Sequence, residues 1–299
     1  MTVDVRTEAD GALALWVHEE DHLALARDEL AAFETEPDAE RFRQVSEESQ
    51  DSMNETQATE TRAERAGRPA WQRLPVTFGL IGISVVVFLA MEFGGDYTKR
   101  LHSDLSIASF VIRGDSGYWQ GLSDIRNGQI WRLVTPIFMH GGSRAGTTDA
   151  FFGNLLHLVF NMAWIWLLGA AIETIRGHFR LLFLVLVTAV ASNLLEYWFN
   201  VGFSFDMENG FVNDSGYDPN PFFLGMSGVV FGLFGFVWMR ARLIPRSGFA
   251  MPRDTVVWLL IWLVVCTTGL VGPIANVAHG SGLLAGMILG AAPRLWQRG

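Results

Sequence analysis

Six long runs of apolar residues occupy the chain after about residue 75, and they predict six helices. The runs are Val76–Met91, Leu155–Ile175, Leu181–Tyr197, Met226–Met239, Thr255–Val271 and Ile274–Ala292. A helix rises about 1.5 Å per residue, so about 20 residues cross a hydrocarbon core about 30 Å thick. Most of the runs reach this length once their flanks are included. The fourth reaches only about 21 Å, so we expect its beginning to lie below the membrane surface.

The residues before these runs follow a different pattern. A short strand is predicted at 13–17, and Glu20–Phe33 carries apolar side chains at helical spacing. Ser46–Arg68 is rich in Ser, Glu, Gln, Thr and Arg, and it buries too little apolar surface to fold alone. We predict a small α/β domain at 1–48, a polar linker at 49–74 and an all-α polytopic membrane domain at 75–299.

The composition agrees with a membrane protein whose charge is concentrated at one end. Hydrophobic residues make up 50% of the chain and the mean hydropathy is +0.25. The first 70 residues contain eighteen acidic and seven basic side chains, so this acidic head accounts for the net charge of -9. We therefore expect no nucleic acid partner.

Basic residues next to the runs predict the orientation of the chain in the membrane, because arginines concentrate on the cytoplasmic side. They lie before run 1, between runs 2 and 3, between runs 4 and 5, and after run 6: Arg62, Arg65, Arg68, Arg73, Arg176, Arg180, Arg240, Arg242, Arg246, Arg253, Arg294 and Arg298. Both termini are therefore predicted to be cytoplasmic. The long first outer loop, Phe93–Ala150, is expected to lie partly in the membrane interface.

Two polar residues near the beginnings of apolar runs are candidates for catalysis, since polar groups inside a membrane are costly. Ser227 is the second residue of run 4 and His279 lies near the start of run 6, and both enter from the outer side. A serine hydroxyl becomes a good nucleophile when a base removes its proton, and histidine suits that task. We predict Ser227 as nucleophile and His279 as general base.

Glycines in the same two runs would allow the helices to approach each other. Gly282, Gly286 and Gly290 follow His279 at helical spacing, and run 4 offers a small surface at Gly228, Gly232 and Gly235. Small residues let helix backbones come close in membranes. A hydrogen bond between Ser227 and His279 is therefore attainable.

Run 2 carries candidates for an oxyanion hole, which acyl transfer requires. His157 and Asn161 are four residues apart and share one helical face. The backbone N–H of Ser227, at a helix N-terminus, would be a further donor. No acidic residue accompanies His279 in run 6, so a dyad fits better than a triad.

Each of these residues has a simpler interpretation. A lone serine in a membrane helix usually packs or bonds to its own backbone, and a lone histidine often has a structural role. His18-Glu19-Glu20-Asp21-His22 matches a zinc-protease motif, but a solvated acidic helix start explains it better, and we expect no metal site. Gly225–Val229 lacks the spacing of the α/β-hydrolase elbow. His140 and His178 are interpreted as interfacial or capping residues.

Taken together, the motifs resemble those of the rhomboid intramembrane proteases. They are Gly-Met-Ser227-Gly, Ala-His279-x-x-Gly-x-x-x-Gly, His157-x-x-x-Asn161 and Trp131-Arg132. The resemblance covers about residues 75–296. It extends to the head, which is similar to the cytosolic domain of bacterial GlpG-type rhomboids. It implies a six-transmembrane-helix rhomboid bundle with a small N-terminal α/β domain, in the bacterial inner membrane.

The resemblance also implies an activity. The expected reaction is hydrolysis, without a cofactor, of a peptide bond in or beside a substrate's transmembrane segment near the outer membrane face. The partners would be transmembrane protein substrates and the lipid bilayer. The catalytic roles implied are a Ser227–His279 dyad and an oxyanion hole from His157, Asn161 and the Ser227 amide. Phe231 would support His279. The structural roles implied are helix packing at Gly228, Gly232, Gly282 and Gly286, and support of the fold by Trp131, Arg132, Glu173 and Arg176.

The sequence departs from the family pattern at three places. Phe231 stands where many members carry a tyrosine, and Val277 where a glycine is familiar. The stretch Gly141–Asn154 makes the first loop longer than expected.

Two other functions are considered. A catalytically silent rhomboid-like protein would bind membrane helices, but such proteins usually lack a dyad residue. A solute transporter would show two related halves.

Overall fold

The computed structural model describes residues 3–7, 13–44, 67, 69–113, 116–119, 121–141, 148–200, 205–206, 210–211, 223–244, 246–268, 270 and 275–292. Most of the predicted linker 49–74, most of the outer loop 203–224, the turn at 272–273, and Arg294 and Arg298 lie outside these residues. The chain forms two compact units, Met1–Pro69 and Ala70–Gly299.

The first unit contains a two-stranded antiparallel sheet and a helix. Strands β1 (Val3–Thr7) and β2 (Leu13–Val17) pair with Val3 opposite Val17, which confirms the strand predicted at 13–17. A 3₁₀ turn, Glu20–His22, leads into α1 (Leu23–Thr35). That this unit is an independent α/β domain stays a prediction.

The zinc-protease motif of the first unit is not presented on one helical face. His18 precedes the helix, and its Nε2 lies 2.9 Å from a carboxylate oxygen of Asp4. His22 lies at the end of the 3₁₀ turn, with Nδ1 2.5 Å from Glu19. Each histidine therefore has its own carboxylate partner.

The second unit is mainly helical. Its helices are α2 (Ala70–Arg73), α3 (Pro75–Phe93), α4 (Asp96–Leu105), α5 (Ser123–Arg126), α6 (Thr148–Trp164), α7 (Ala170–Arg176), α8 (His178–Asn200), α9 (Ser227–Leu243), α10 (Arg253–Thr267) and α11 (Asn276–Ala291). A π-helical segment, Ile165–Gly169, joins α6 to α7. Two short hairpins accompany them: β3 (Phe110–Arg113) with β4 (Ser116–Trp119), and β5 (Phe205–Asp206) with β6 (Gly210–Phe211).

A helix is present at each of the six apolar runs. Among the residues that the structure describes, three helices are long and apolar enough to cross a membrane: Pro75–Phe93, Thr148–Arg176 and His178–Phe199. Helices α9, α10 and α11 have 17, 15 and 16 residues. That these shorter helices also span the membrane stays a prediction.

Helix α9 lies at the centre of the second unit. Its residues from Gly228 to Val237 are buried on every side, including Leu233, Phe234 and Phe236, and it packs against α8 and α11. Large apolar side chains on α3, α6 and α10 are exposed instead, among them Val86, Leu156 and Trp258. This arrangement is typical of a bundle whose outer surface faces lipid.

The beginning of α3 is tied to the end of α7 by Glu173. Its buried carboxylate accepts hydrogen bonds from the backbone N–H groups of Val76 and Thr77, at 2.8 and 2.9 Å, and from the Thr77 hydroxyl at 2.6 Å. His178 Nδ1 lies 2.7 Å from the same carboxylate. The free N–H groups at a helix start need acceptors, and Glu173 supplies them from another helix. The start of α3 and the junction of α7 with α8 therefore lie at the same end of the bundle.

Candidate active site

Ser227 and His279 meet at the adjacent ends of two helices. Ser227 is the first residue of α9, and His279 lies in the first turn of α11. His279 Nε2 is 2.6 Å from Ser227 Oγ, which is hydrogen-bond distance. His279 is buried, whereas Ser227 is partly exposed. A neutral imidazole in this position can accept the serine proton at Nε2, which is the geometry that nucleophile activation requires.

Glycines set the close approach of these two helices. A Cβ atom on Gly282 would lie 2.0 Å from the carbonyl oxygen of Gly228, and one on Gly286 would lie 1.8 Å from that of Gly232. No side chain fits at such distances, so the backbones of α9 and α11 are in direct contact. The predicted packing glycines are therefore brought together in two pairs.

Phe231 packs against the imidazole of His279. Their ring centroids are 4.9 Å apart, and the planes are inclined by 39°. Phe231 lies one turn after Ser227 on α9 and is buried. The contact restricts the orientation of the imidazole by packing alone, because phenylalanine offers no hydrogen bond. The Nδ1 atom of His279 is buried without a hydrogen-bond partner among the described residues.

His157 lies beside the segment that precedes Ser227. A Cβ on Gly225 would be 2.6 Å from His157 Cε1, and Gly225 has a φ of +112°, which favours glycine. His157 also lies in the neighbourhood of His279. The imidazole therefore lies at the edge of the Ser227–His279 pair.

Asn161 lies on the same face of α6 as His157 but directs its amide elsewhere. Its Nδ2 donates to the carbonyl oxygen of His157 at 2.9 Å, and its buried Oδ1 has no hydrogen-bond partner in the part of the chain described. The second Nδ2 hydrogen can donate to a further acceptor. The structure thus brings His157 to the site more directly than Asn161.

His140 is a site residue that the sequence analysis missed. The interfacial interpretation is wrong, because the side chain is fully buried and its ring centroid lies 5.2 Å from that of His157. The capping interpretation agrees with the hydrogen bond that His140 accepts from Met226, the residue at the start of α9. Nδ1 is 3.2 Å from the carbonyl oxygen of Phe138, and Nε2 accepts the backbone N–H of Met226 at 3.2 Å. Burial, with the neighbouring His157 as a second cause, lowers the pKa of His140 to about 3. A neutral His140 thus holds the residue before Ser227.

Glu196 is the second residue that was missed. Run 6 holds no acidic residue beside His279, whereas Glu196 lies on α8 and is 3% exposed. Its Oε2 accepts the backbone N–H of Ala278 at 2.6 Å, immediately before His279. It is the single acidic residue in the apolar run Leu181–Tyr197, which was the available signal. Its carboxyl group satisfies an N–H at the start of the helix that carries His279.

Arg132 organises the first loop, whereas Trp131 is half-exposed. The buried guanidinium donates from Nη1 to the carbonyl oxygens of Ser106, at 2.8 Å, and of Ser103, at 2.5 Å, and from Nε to Gln129 at 2.7 Å. These hydrogen bonds join α4 to the 3₁₀ turn Ile130–Leu133. Of the stretch Gly141–Asn154, residues 142–147 lie outside the described part of the chain. Helix α6 begins at Thr148, seven residues before the start of the apolar run Leu155–Ile175.

Comparisons with known proteins agree with this geometry. The rhomboid domain matches residues 127–294, and the cytoplasmic N-terminal domain of rhomboid serine proteases matches residues 1–59. The chain is 29% identical to rhomboid protease GlpG of Photorhabdus laumondii subsp. laumondii, over 95% of this chain and 84% of the relative. It is 27% identical to that of Salmonella paratyphi A, over 97% and 86%. It is 30% identical to a GlpG homolog of Cronobacter sakazakii, over 73% and 61%.

Proposed function

This chain belongs to the rhomboid family of intramembrane serine proteases, and we propose that Ser227 and His279 are its catalytic dyad. One observation carries the proposal: the 2.6 Å contact between Ser227 Oγ and His279 Nε2, made by two helices whose backbones touch. In this assignment, His279 takes the proton of Ser227 as the oxygen attacks the carbonyl carbon of the scissile bond. His279 then gives the proton to the leaving amine, and water hydrolyses the acyl-enzyme by the same route.

The oxyanion would be stabilised by the N–H of Ser227 and by side chains of α6. A first-turn N–H has no acceptor within its own helix, so the Ser227 amide is available to a substrate. His157 lies against Gly225 and close to His279, which supports its role as a second donor. Asn161 would contribute its second Nδ2 hydrogen, after a small rotation of the amide.

We assign the dyad to the outer end of a six-span bundle. The N-terminal domain is cytoplasmic, and α3 follows it along the chain, so the start of α3 and the Glu173 contact are at the cytoplasmic end. Helices α6 and α7 run towards that end and α8 runs away from it. Helices α9 and α11 start at the dyad, so they run back to the cytoplasmic side. This topology puts both termini in the cytoplasm, and by likeness to the bacterial relatives we infer the inner membrane.

The substrates of rhomboid proteases are transmembrane proteins in membranes. We propose that this enzyme cleaves them near the outer face, where a carbonyl group reaches Ser227. Retention of both dyad residues argues against the catalytically silent alternative, and membership of a protease family argues against the transporter.

The proposal is tested by reconstituting the full chain in vesicles with a model transmembrane substrate that has small residues at its outer end. Wild type should cleave it, and Ser227→Ala and His279→Ala should each abolish cleavage. Ser281→Ala is the matched control, because that hydroxyl donates to Val277 O at 2.6 Å within its own helix. Cleavage that persists in Ser227→Ala, or that is lost equally in Ser281→Ala, would contradict the dyad.

A further inference from the structure

The Nδ1 edge of the His279 imidazole is the part of the ring that no described residue holds. Phe231 packs against the face of the ring, and Ser227 Oγ lies 2.6 Å from Nε2. When Nε2 accepts a hydrogen bond from the serine, the neutral imidazole carries its own proton on Nδ1, which is then a donor. His279 is 4% exposed, and its Nδ1 has no hydrogen-bond partner among the described residues. A buried donor without an acceptor costs free energy, so an acceptor is required close by.

An acceptor without a donor lies in the same helical turn. Asn276 is the first residue of α11, and its Oδ1 atom is also buried without a hydrogen-bond partner in the described part of the chain. Residues three apart on a helix are neighbours on its surface, with Cβ atoms about 5–6 Å apart. Helical side chains lean towards the N-terminus of their helix, so the imidazole of His279 leans towards the turn that begins at Asn276. The buried donor and the buried acceptor are therefore within reach of each other.

Capping, the usual role of an asparagine at a helix start, does not occupy this side chain. An asparagine in that role accepts a backbone N–H of the first turn. Here the Ala278 N–H donates to Glu196 at 2.6 Å, and the His279 N–H donates to the carbonyl oxygen of Ala275 at 3.2 Å. The amide oxygen of Asn276 thus remains available to a side-chain donor.

We propose that Asn276 Oδ1 accepts the Nδ1–H of His279, after a rotation of the amide or through one water molecule, and is a positioning residue of the dyad. This inference rests on the proposed function and extends it. The hydrogen bond at one nitrogen of a histidine decides which nitrogen carries the proton, so an acceptor at Nδ1 keeps Nε2 free to take the serine proton. After that transfer the same oxygen faces a charged imidazolium, which strengthens the hydrogen bond. A carboxylate has this role in a Ser-His-Asp triad, and here an amide on the histidine's own helix has it.

Kinetics of the full chain in vesicles, with the same model substrate, give the first test. Asn276→Leu keeps the size of the side chain and removes the acceptor, so kcat should fall about tenfold to a hundredfold with KM unchanged, the effect of losing a hydrogen bond to a charged group. Asn276→Asp keeps an acceptor oxygen and should retain most of kcat. Ser281→Ala is the matched control, because that hydroxyl donates to Val277 O within α11, and it should equal wild type. A wild-type kcat in Asn276→Leu, or equal losses in the Leu and Asp variants, would overturn the proposal.

The second test locates the proton on His279 without depending on cleavage. Protein with isotope-labelled histidine is studied by nitrogen NMR in a Ser227→Ala background, at about pH 8, where an imidazole is neutral. The His279 signals are those absent from His279→Gln. With Asn276 present the proton should lie on Nδ1, and Asn276→Leu should shift it towards Nε2. A proton that stays on Nδ1 in Asn276→Leu has a different acceptor, which would overturn the proposal. A proton on Nε2 in the chain that keeps Asn276 would also overturn it, and that measurement stands even if Asn276→Leu does not fold.

The positioning role and the dyad fail separately in these tests. Cleavage that persists in Ser227→Ala would remove the dyad, and the role of Asn276 with it. Loss of cleavage in Ser227→Ala and in His279→Ala, together with a wild-type kcat in Asn276→Leu, would leave the dyad intact and remove only the role of Asn276.

Discussion

Gly286→Ala should impair catalysis although Gly286 lies two helical turns from His279. A methyl group at this position would lie 1.8 Å from the carbonyl oxygen of Gly232, and the adjacent carbonyl carbon would be 2.6 Å away. Cβ atoms essentially never come within 3.0 Å of such an atom, and ordinary contacts begin at about 3.4 Å. Backbone atoms cannot rotate aside, so α11 must move away from α9 by at least about 1 Å.

The expected magnitude follows from the geometry of the dyad. A displacement of about 1 Å would stretch the 2.6 Å contact between Ser227 and His279 beyond about 3.2 Å, the limit for proton transfer to a base. Misplacement by this amount costs on the order of a hundredfold in rate. Overpacking should also destabilise the fold by about 1–3 kcal/mol.

The assay compares kcat and thermal unfolding of Gly286→Ala with those of Gly280→Ala. Gly280 lies on the same helix next to His279, but a Cβ there would meet no atom within 4 Å. Gly280→Ala should therefore keep kcat near that of wild type, whereas Gly286→Ala should lose most of it while still folded at low temperature. Equal activities of the two variants would refute the claim that backbone contact between α9 and α11 positions the dyad.

Three other residues give sharp predictions. Glu196→Leu should lower the free energy of unfolding by roughly 1–3 kcal/mol and reduce kcat/KM, because the buried N–H of Ala278 loses its acceptor. Glu196→Gln keeps an acceptor oxygen and should retain most of the stability and of kcat/KM. Similar losses in the two variants would show that the charge of Glu196 matters instead. The pKa of His140 is about 3 in the folded protein and about 6.5 in the unfolded chain. The buried neutral imidazole therefore contributes stability that is fully present above pH 6.5 and is lost as the pH falls towards 3. By pH 5 the free energy of unfolding should have fallen by about 2 kcal/mol. His140→Gln should flatten the dependence of unfolding on pH in this range, and an unchanged slope would contradict the assignment. Glu173→Ala should lower the free energy of unfolding, measured with denaturant, by about 3 kcal/mol, because the backbone N–H groups at the beginning of α3 lose their acceptors. An unchanged free energy of unfolding would mean that water replaces the carboxylate.

The helices and the contact between Ser227 and His279 can be predicted from the sequence because their signals are local. Apolar runs predict helices directly, and the spacing of glycines after His279 predicts the face that packs against α9. Ser227 and His279 are polar residues at the starts of apolar runs, where each requires a reason. The structure brings these two residues to hydrogen-bond distance.

The supporting residues were not accessible because their contacts join distant parts of the chain. His140 meets Met226 across 86 residues, and Glu196 meets Ala278 across 82. Neither helical periodicity nor a short motif encodes such a pairing. The hairpin of the first loop was missed for a similar reason: β3 and β4 are four residues each, too short to give a clear alternating pattern.

The central claim, that Ser227 is the nucleophile and His279 its base, is tested most directly by a fluorophosphonate probe with peptide mapping of the labelled residue. The probe should modify wild type at Ser227, and His279→Ala should slow that labelling to background. Modification of a different residue, or labelling of Ser227 at the wild-type rate in His279→Ala, would contradict the account.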